Sequence, residues 1–206
     1  MRRQLLWAWL ICLAASRAWA QTDTLVGIRA GSIELGAAGG LSAPVGDYGD
    51  LASLSGTGAV ILGYYPGPHF SFGIDMGVHW HGVTDLADSL QAASLGQTTS
   101  DLSFKLYRIF TPYAKFQLTV ARVSPYLTGL AGFYLQEARW TYNTLTASVT
   151  QTASQGYFGL ATGVGVQIVS DDNVLVFLEG RLHNAMRSGS APLQFIDARV
   201  GLTFLL

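Results

Sequence analysis

The chain has one cysteine, Cys12, and it lies within the first twenty of its 206 residues. If that leader is removed, the remainder has no disulfide, no thiol catalysis and no thiolate metal site. Charge is scarce as well: Asp, Glu, Lys and Arg make up 12% of the chain, about half the share of an ordinary soluble domain. So little charge cannot cover a water-facing surface. The balance of 12 basic to 13 acidic residues provides no basic face and excludes a nucleic-acid partner. Long apolar runs are missing too. Beyond residue 20 nothing approaches the roughly 18 uninterrupted apolar residues of a membrane-crossing helix. Glycine, at 24, and the 19 tyrosines and phenylalanines are plentiful. The expectation is an apolar-surfaced protein built without apolar helices.

Residues 1–20, MRRQLLWAWLICLAASRAWA, have the three parts of a secretory signal. Arg2 and Arg3 supply the positive start, Leu5 to Ala15 the apolar middle, and Ala18-Trp19-Ala20 a small-x-small cleavage site. The apolar run is too short for a membrane anchor. Ile11 precedes Cys12 where a lipoprotein signal needs a small residue. Cleavage removes Arg2, Arg3 and Arg17 and leaves 9 basic against 13 acidic groups in residues 21–206. An exported chain without cysteine fits a bacterial envelope better than a small eukaryotic secreted domain.

Residues 21–206 lack helical periodicity and break into segments alternating apolar with small or polar residues, the mark of strands. Eight are expected, over 29–42, 56–66, 69–81, 101–121, 125–140, 153–169, 174–186 and 193–206. Three connections are tight, at Pro66-Gly67-Pro68, Arg122-Val123-Ser124 and 170–173, and four are longer, at 43–55, 82–100, 141–152 and 187–192. Long and short connections alternate, as in an up-and-down meander. In the last segment Ile196, Ala198, Val200, Leu202, Phe204 and Leu206 oppose Asp197, Arg199, Gly201 and Thr203. The faces of the second segment cannot be assigned.

A lipocalin-like soluble barrel would turn the apolar face inward, and a membrane barrel outward. The other face decides between them: it is Gly, Ala and Ser with a few charges of both signs, which suits a narrow lumen and not a solvent surface. Phe70 and Trp80 bracket the apolar face of the third segment ten residues apart. At a tilt of about 40° that spans roughly 25 Å, the height of an outer-membrane apolar band. Phe70, Trp80 and Phe204 are therefore expected in the aromatic girdle. Arg108, Glu137 and Arg139 fall on the apolar parity and are expected to protrude above the bilayer. The fold expected is all-β, an eight-stranded antiparallel up-and-down transmembrane β-barrel.

The chain resembles the small outer membrane protein beta-barrel domain family, porin-like in name. The resemblance is carried by LSAPVGDYGD at 41–50, SPYLTGLAGFY at 124–134, GYFGLATGVGVQI at 156–168, VFLEGRLHNAM at 176–186 and FIDARVGLTFLL at 195–206. It implies the outer membrane of a Gram-negative cell, and partners in outer-membrane lipid and the barrel-assembly machinery. Such barrels finish on an aromatic residue, whereas this sequence closes Phe204-Leu205-Leu206.

The expected lumen charges are Glu34, Asp75, Lys105, Lys115, Glu179, Arg181, Asp197 and Arg199. If the last hairpin pairs Met186 with Pro192, Arg181 faces Asp197 and Glu179 faces Arg199. An eight-stranded lumen is just wide enough to be filled by side chains, so mixed signs favour a structural network over an ion path. His79 and His81 share a face with Asp75, and His183 approaches from another strand. Zinc would need three or four converging ligands, so polar lumen residues are the preferred reading, with no metal or cofactor. Leu182-His183-Asn184 followed by Ser188 resembles the His-Ser pair of lipid A deacylases, but Asn184 stands where the serine belongs. The reading is a non-enzymatic, monomeric barrel with a structural or surface-interaction role, its extracellular ligand held by the long loops. Its alternatives are a narrow porin-like channel for small solutes and a lipid-modifying enzyme.

Overall fold

A computed structural model describes residues 28–84, 100–143, 148–171, 173–187, 189 and 191–206. The leader, most of the 82–100 connection and Ser188 lie outside the described residues. The strands are β1 (Ile33–Val45), β2 (Ala52–Gly67), β3 (Phe70–Val83), β4 (Ser100–Phe110), β5 (Pro112–Gln117), β6 (Val123–Asn143), β7 (Ser148–Asp171), β8 (Val174–Met186) and β9 (Leu193–Leu205). A short 3-10 turn, Gly46–Tyr48, joins β1 to β2. All pairings are antiparallel between neighbours in the chain, and β1 also pairs with β9. β4 and β5 form one interrupted stave between β3 and β6. The result is a closed ring of eight staves. Closure by the β1–β9 pairing removes the sheet edges that hydrocarbon does not tolerate.

The fourth stave breaks at Thr111. The register shifts between Arg108 and Phe110, and Ile109 and Phe110, adjacent in sequence, are both exposed. Two successive residues on one side are a β-bulge, and a bulge reverses the inside-outside parity of everything beyond it. The Asp75 amide donates to the Thr111 carbonyl at 3.0 Å, and the Thr111 hydroxyl donates to the Asp75 carbonyl. Pro112, which has no N–H, takes the first place after the break.

The exterior is apolar and the interior charged, the reverse of a lipocalin-like barrel. Along β9 the odd residues from Leu193 to Leu205 are buried and the even ones from Ile196 to Phe204 exposed. On β2 the exposed residues Val60, Leu62 and Tyr64 oppose buried Ile61 and Tyr65. Apolar side chains on both faces made this segment unreadable in the sequence. Phe70, Trp80 and Phe204 all stand on the exterior.

Glycines on the inner face leave room for large neighbours. A Cβ at Gly165 would lie 2.6 Å from the Tyr126 hydroxyl and 2.8 Å from the Leu178 carbonyl oxygen. Gly165→Val is therefore expected to cost about 1–3 kcal/mol by overpacking, measured as a lower denaturant midpoint of the folded barrel. At Gly77 a Cβ would run into the Arg108 guanidinium, so this glycine is what lets Arg108 turn inward.

The third long connection is not a loop. β6 and β7 continue as strands through most of 141–152, paired without a break from Val123↔Ile168 to Asn143↔Ser148. Only residues 144–147 separate them. The hairpin overshoots its neighbour, because β8 pairs with β7 only as far as Phe158↔Met186.

Candidate functional site

The lumen is filled in tiers. Nearest the short turns, Lys115 donates to Glu34 Oε1 at 2.9 Å and to Gln167 Oε1 at 3.2 Å. The Tyr113 hydroxyl donates to Glu34 Oε2 at 2.8 Å. The ammonium lies 5.1 Å from the Tyr65 ring centre and 5.5 Å from that of Tyr126, within cation–π range.

Above it Asp75 is held by three arginines. Arg108 Nη1 is 2.9 Å from Oδ1, and Arg181 Nη1 and Arg199 Nη2 are each 2.7 Å from Oδ2. Glu179 accepts from Arg199 Nε at 3.1 Å and from the Tyr126 hydroxyl at 2.8 Å, and pairs with Arg181. The register of the last hairpin is indeed Arg181↔Asp197 and Glu179↔Arg199. Only the second of these makes a contact pair, since Arg181 turns to Asp75 and Glu179 instead.

Asp197 belongs to the next tier. His79 Nδ1 lies 3.4 Å from Oδ1 and His183 Nε2 3.2 Å from Oδ2. Phe195 stacks on His183 with ring centres 4.5 Å apart and meets His79 edge-on at 4.7 Å. The Tyr134 hydroxyl is 3.0 Å from His183 Nδ1. With Tyr134 as donor, the neutral imidazole keeps its proton on Nε2, toward Asp197. His81 bonds Ser55 Oγ at 3.1 Å and meets Tyr48 edge-on. Among the described residues no group of three or more metal-ligating side chains is assembled.

Seven of the eight expected charges, Glu34, Asp75, Lys115, Glu179, Arg181, Asp197 and Arg199, are buried inside. Lys105 is not. It is half-buried in register between Trp80 and Glu137, while Leu106 and Arg108 beyond it point in. Arg108, expected above the bilayer, is 1% exposed and takes its place in the lumen. Both corrections have one cause: the bulge before Thr111 reverses parity, so Lys105 and Lys115 cannot share a side. The buried set still balances, with Arg108, Lys115, Arg181 and Arg199 against Glu34, Asp75, Glu179 and Asp197. Charge counting could not have separated Lys105 from Arg108. Pro112 inside an apparent strand was the usable signal.

Between the first two tiers there remains a void of about 10 Å³, bounded by Glu34, Lys115, Glu179 and Arg199, the room of about one water. At the long-connection end the barrel opens into a vestibule of about 340 Å³, whose lining includes Tyr48, Phe104, Gln136, Gln155, Tyr157, Arg187 and Leu193. Tyr48 reaches it from the 3-10 turn, and burial pushes its phenol up, so it stays neutral. The Tyr157 hydroxyl lies 2.9 Å from Gln155 Oε1 and 3.2 Å from Gln136 Oε1, which share its one proton. Arg187 lies over the Tyr157 ring at 5.7 Å. Sequence reasoning missed this vestibule because Tyr48 and Arg187 come from stretches expected to be loops, and the rest of its wall from strand ends whose convergence a sequence does not show.

A closed ring of eight antiparallel staves, apolar outside and charged inside, is the architecture of the small outer-membrane β-barrels. Solved structures of that class share it. Neisserial surface protein A is similar over 84% of this chain and 96% of its own, with 16% identity and a TM-score of 0.56. A major outer membrane protein from Thermus thermophilus is similar over 86% of this chain and 100% of its own, with 14% identity and a TM-score of 0.59. Ail, the attachment invasion locus protein of Yersinia pestis, is similar over 86% and 99%, with 18% identity and a TM-score of 0.52. The chain matches no protein-family profile and no curated protein sequence.

Proposed function

We propose that this chain is a non-conducting surface barrel of a Gram-negative outer membrane, exported by its N-terminal segment, whose mouth is an interaction surface. The observation that carries the reading is the filled lumen. Eight buried charges from six strands lie within it, seven of them in ion pairs with one another and Asp197 held by His79 and His183, and the void between the first two tiers has room for about one water. Opening a path would separate ions already removed from water, at several kcal/mol each. The narrow-channel reading has no comparable support.

The lipid-modifying reading is weaker for a similar reason. Tyr134, His183 and Asp197 are aligned as a hydroxyl, base and carboxylate would be. His183 and Asp197 are fully buried and Tyr134 is 1% exposed, so a role in holding staves together suits the alignment better than acyl chemistry. A lipid substrate would have to reach it through the wall.

Planar-bilayer recording tests the proposal. The refolded chain is expected to insert without stepwise conductance. Reproducible unitary steps from the wild-type chain would overturn the reading and restore the channel.

A further inference from the structure

Among the described residues, the part of β7 that overshoots β8 is an open strand edge. The Val169 amide donates to the Arg122 carbonyl at 2.8 Å, so odd-numbered residues of β7 direct their backbone groups toward β6. In an antiparallel ladder the alternate residues face the opposite side, and the register runs unbroken up the hairpin. Even-numbered residues therefore face β8 as far as Phe158, where the β8 ladder ends. Above it no strand among the described residues pairs with the N–H and C=O of Thr150, Thr152 and Ser154, and 150–156 are all exposed.

Natural edges are blunted with lysine, proline, bulges or covering loops. Thr150 to Gly156 contains no charge and no proline, and its register contains no shift. The edge also borders the vestibule, since Ala153, Gln155 and Tyr157 line it. Arg187 stands there over Tyr157, and among the described residues no carboxylate lies within ion-pair reach of it.

We propose that the open edge of β7 and the vestibule beside it form one docking site for an extended segment of a partner polypeptide, added as a strand, with an acidic side chain reaching Arg187. Backbone bonds to Thr150, Thr152 and Ser154 supply affinity, and the vestibule reads alternate side chains of the guest. A guest residue on the inner face enters a largely apolar chamber in which Arg187 is the cation among the described lining residues. A glutamate or aspartate there, flanked by aliphatic residues, matches its chemistry. The site deepens the surface-interaction reading and rests on it.

The test uses the refolded full barrel and a labelled synthetic peptide that alternates threonine with valine around a central glutamate. Ser154→Pro deletes one edge donor and leaves the β6 ladder whole, because the Ser154 N–H faces away from β6. It is expected to weaken binding about tenfold while the boiling-dependent gel shift stays intact. Arg187→Gln is expected to weaken the glutamate peptide and leave its glutamine version unchanged. Hydrogen exchange should show the Thr152 and Ser154 amides open in the free barrel and protected by the peptide. Peptide binding indifferent to Ser154→Pro would overturn the proposal. Protection of those amides without peptide would also overturn it, and protection rising with protein concentration would assign the edge to a second copy. A closed, non-conducting barrel that ignores the peptide sinks this inference alone, whereas conductance steps sink the surface-barrel reading first.

Discussion

Asp75→Ala is expected to be the most damaging single substitution in the barrel, costing about 3–5 kcal/mol. The side chain is fully buried, and Arg108, Arg181 and Arg199 converge on its two oxygens. Removing it leaves Arg181 and Arg199 sharing Glu179 and takes from Arg108 its ion pair, and a guanidinium cannot shed its charge. Asp197 is the internal comparison, because its partners are His79 and His183, and an imidazole can be neutral. Asp197→Asn should therefore cost far less, in the range of about 1–3 kcal/mol for a disturbed buried hydrogen bond. Denaturant titrations of the refolded variants, followed by tryptophan fluorescence, measure both. Equal losses at the two positions would show that the three-arginine cluster is not the keystone of the lumen.

The second large effect lies on the other face of the sheet. Val200 is 56% exposed near the middle of the outward row of β9. Val200→Arg is expected to cost about 2–4 kcal/mol in a lipid bilayer, where a charge at mid-height has no water. Thr152→Arg, also outward but on the protruding hairpin, should change folding stability by about 0–1 kcal/mol. Parallel refolding titrations in lipid vesicles give the contrast. A tolerated arginine at Val200 would mean that the apolar face is not in hydrocarbon.

The outward-facing strands were legible because period-two alternation is loud where one face is apolar and the other is not. β9 and the Phe70–Trp80 row of β3 read correctly from alternation alone, down to which residues face out. β2 did not, because Ile61 and Tyr65 are buried opposite an apolar exterior. The protruding hairpin was invisible for a different reason. Both faces of 150–156 meet water, so alternation carries no polarity there, and 141–152 reads as a Thr/Ser/Gln loop with the strand expected only from 153. The ring itself leaves no strand edge, but among the described residues the overshoot of β7 leaves one above it.

The site was legible to the extent that parity was. Glu34, Asp75, Lys115, Glu179, Arg181, Asp197 and Arg199 follow from simple alternation. Lys105 and Arg108 exchanged places because one bulge of one residue inverts a half-strand. Tyr113, Tyr126 and Tyr134, which bond Glu34, Glu179 and His183, carry no charge to draw attention in a sequence. The glycines their rings lie over, Gly63, Gly165 and Gly159, were the trace they left.

The central claim is that the ring closes with its apolar face outward and its charges sealed within. Refolding the chain into detergent and comparing gel mobility with and without boiling, beside circular dichroism, tests it most directly. A β-rich spectrum with a boiling-dependent mobility shift, obtained only when detergent or lipid is present, is the predicted result. A chain that stays soluble and β-rich in plain buffer would contradict it, because the exposed rows of leucine, valine and phenylalanine would then have to face inward.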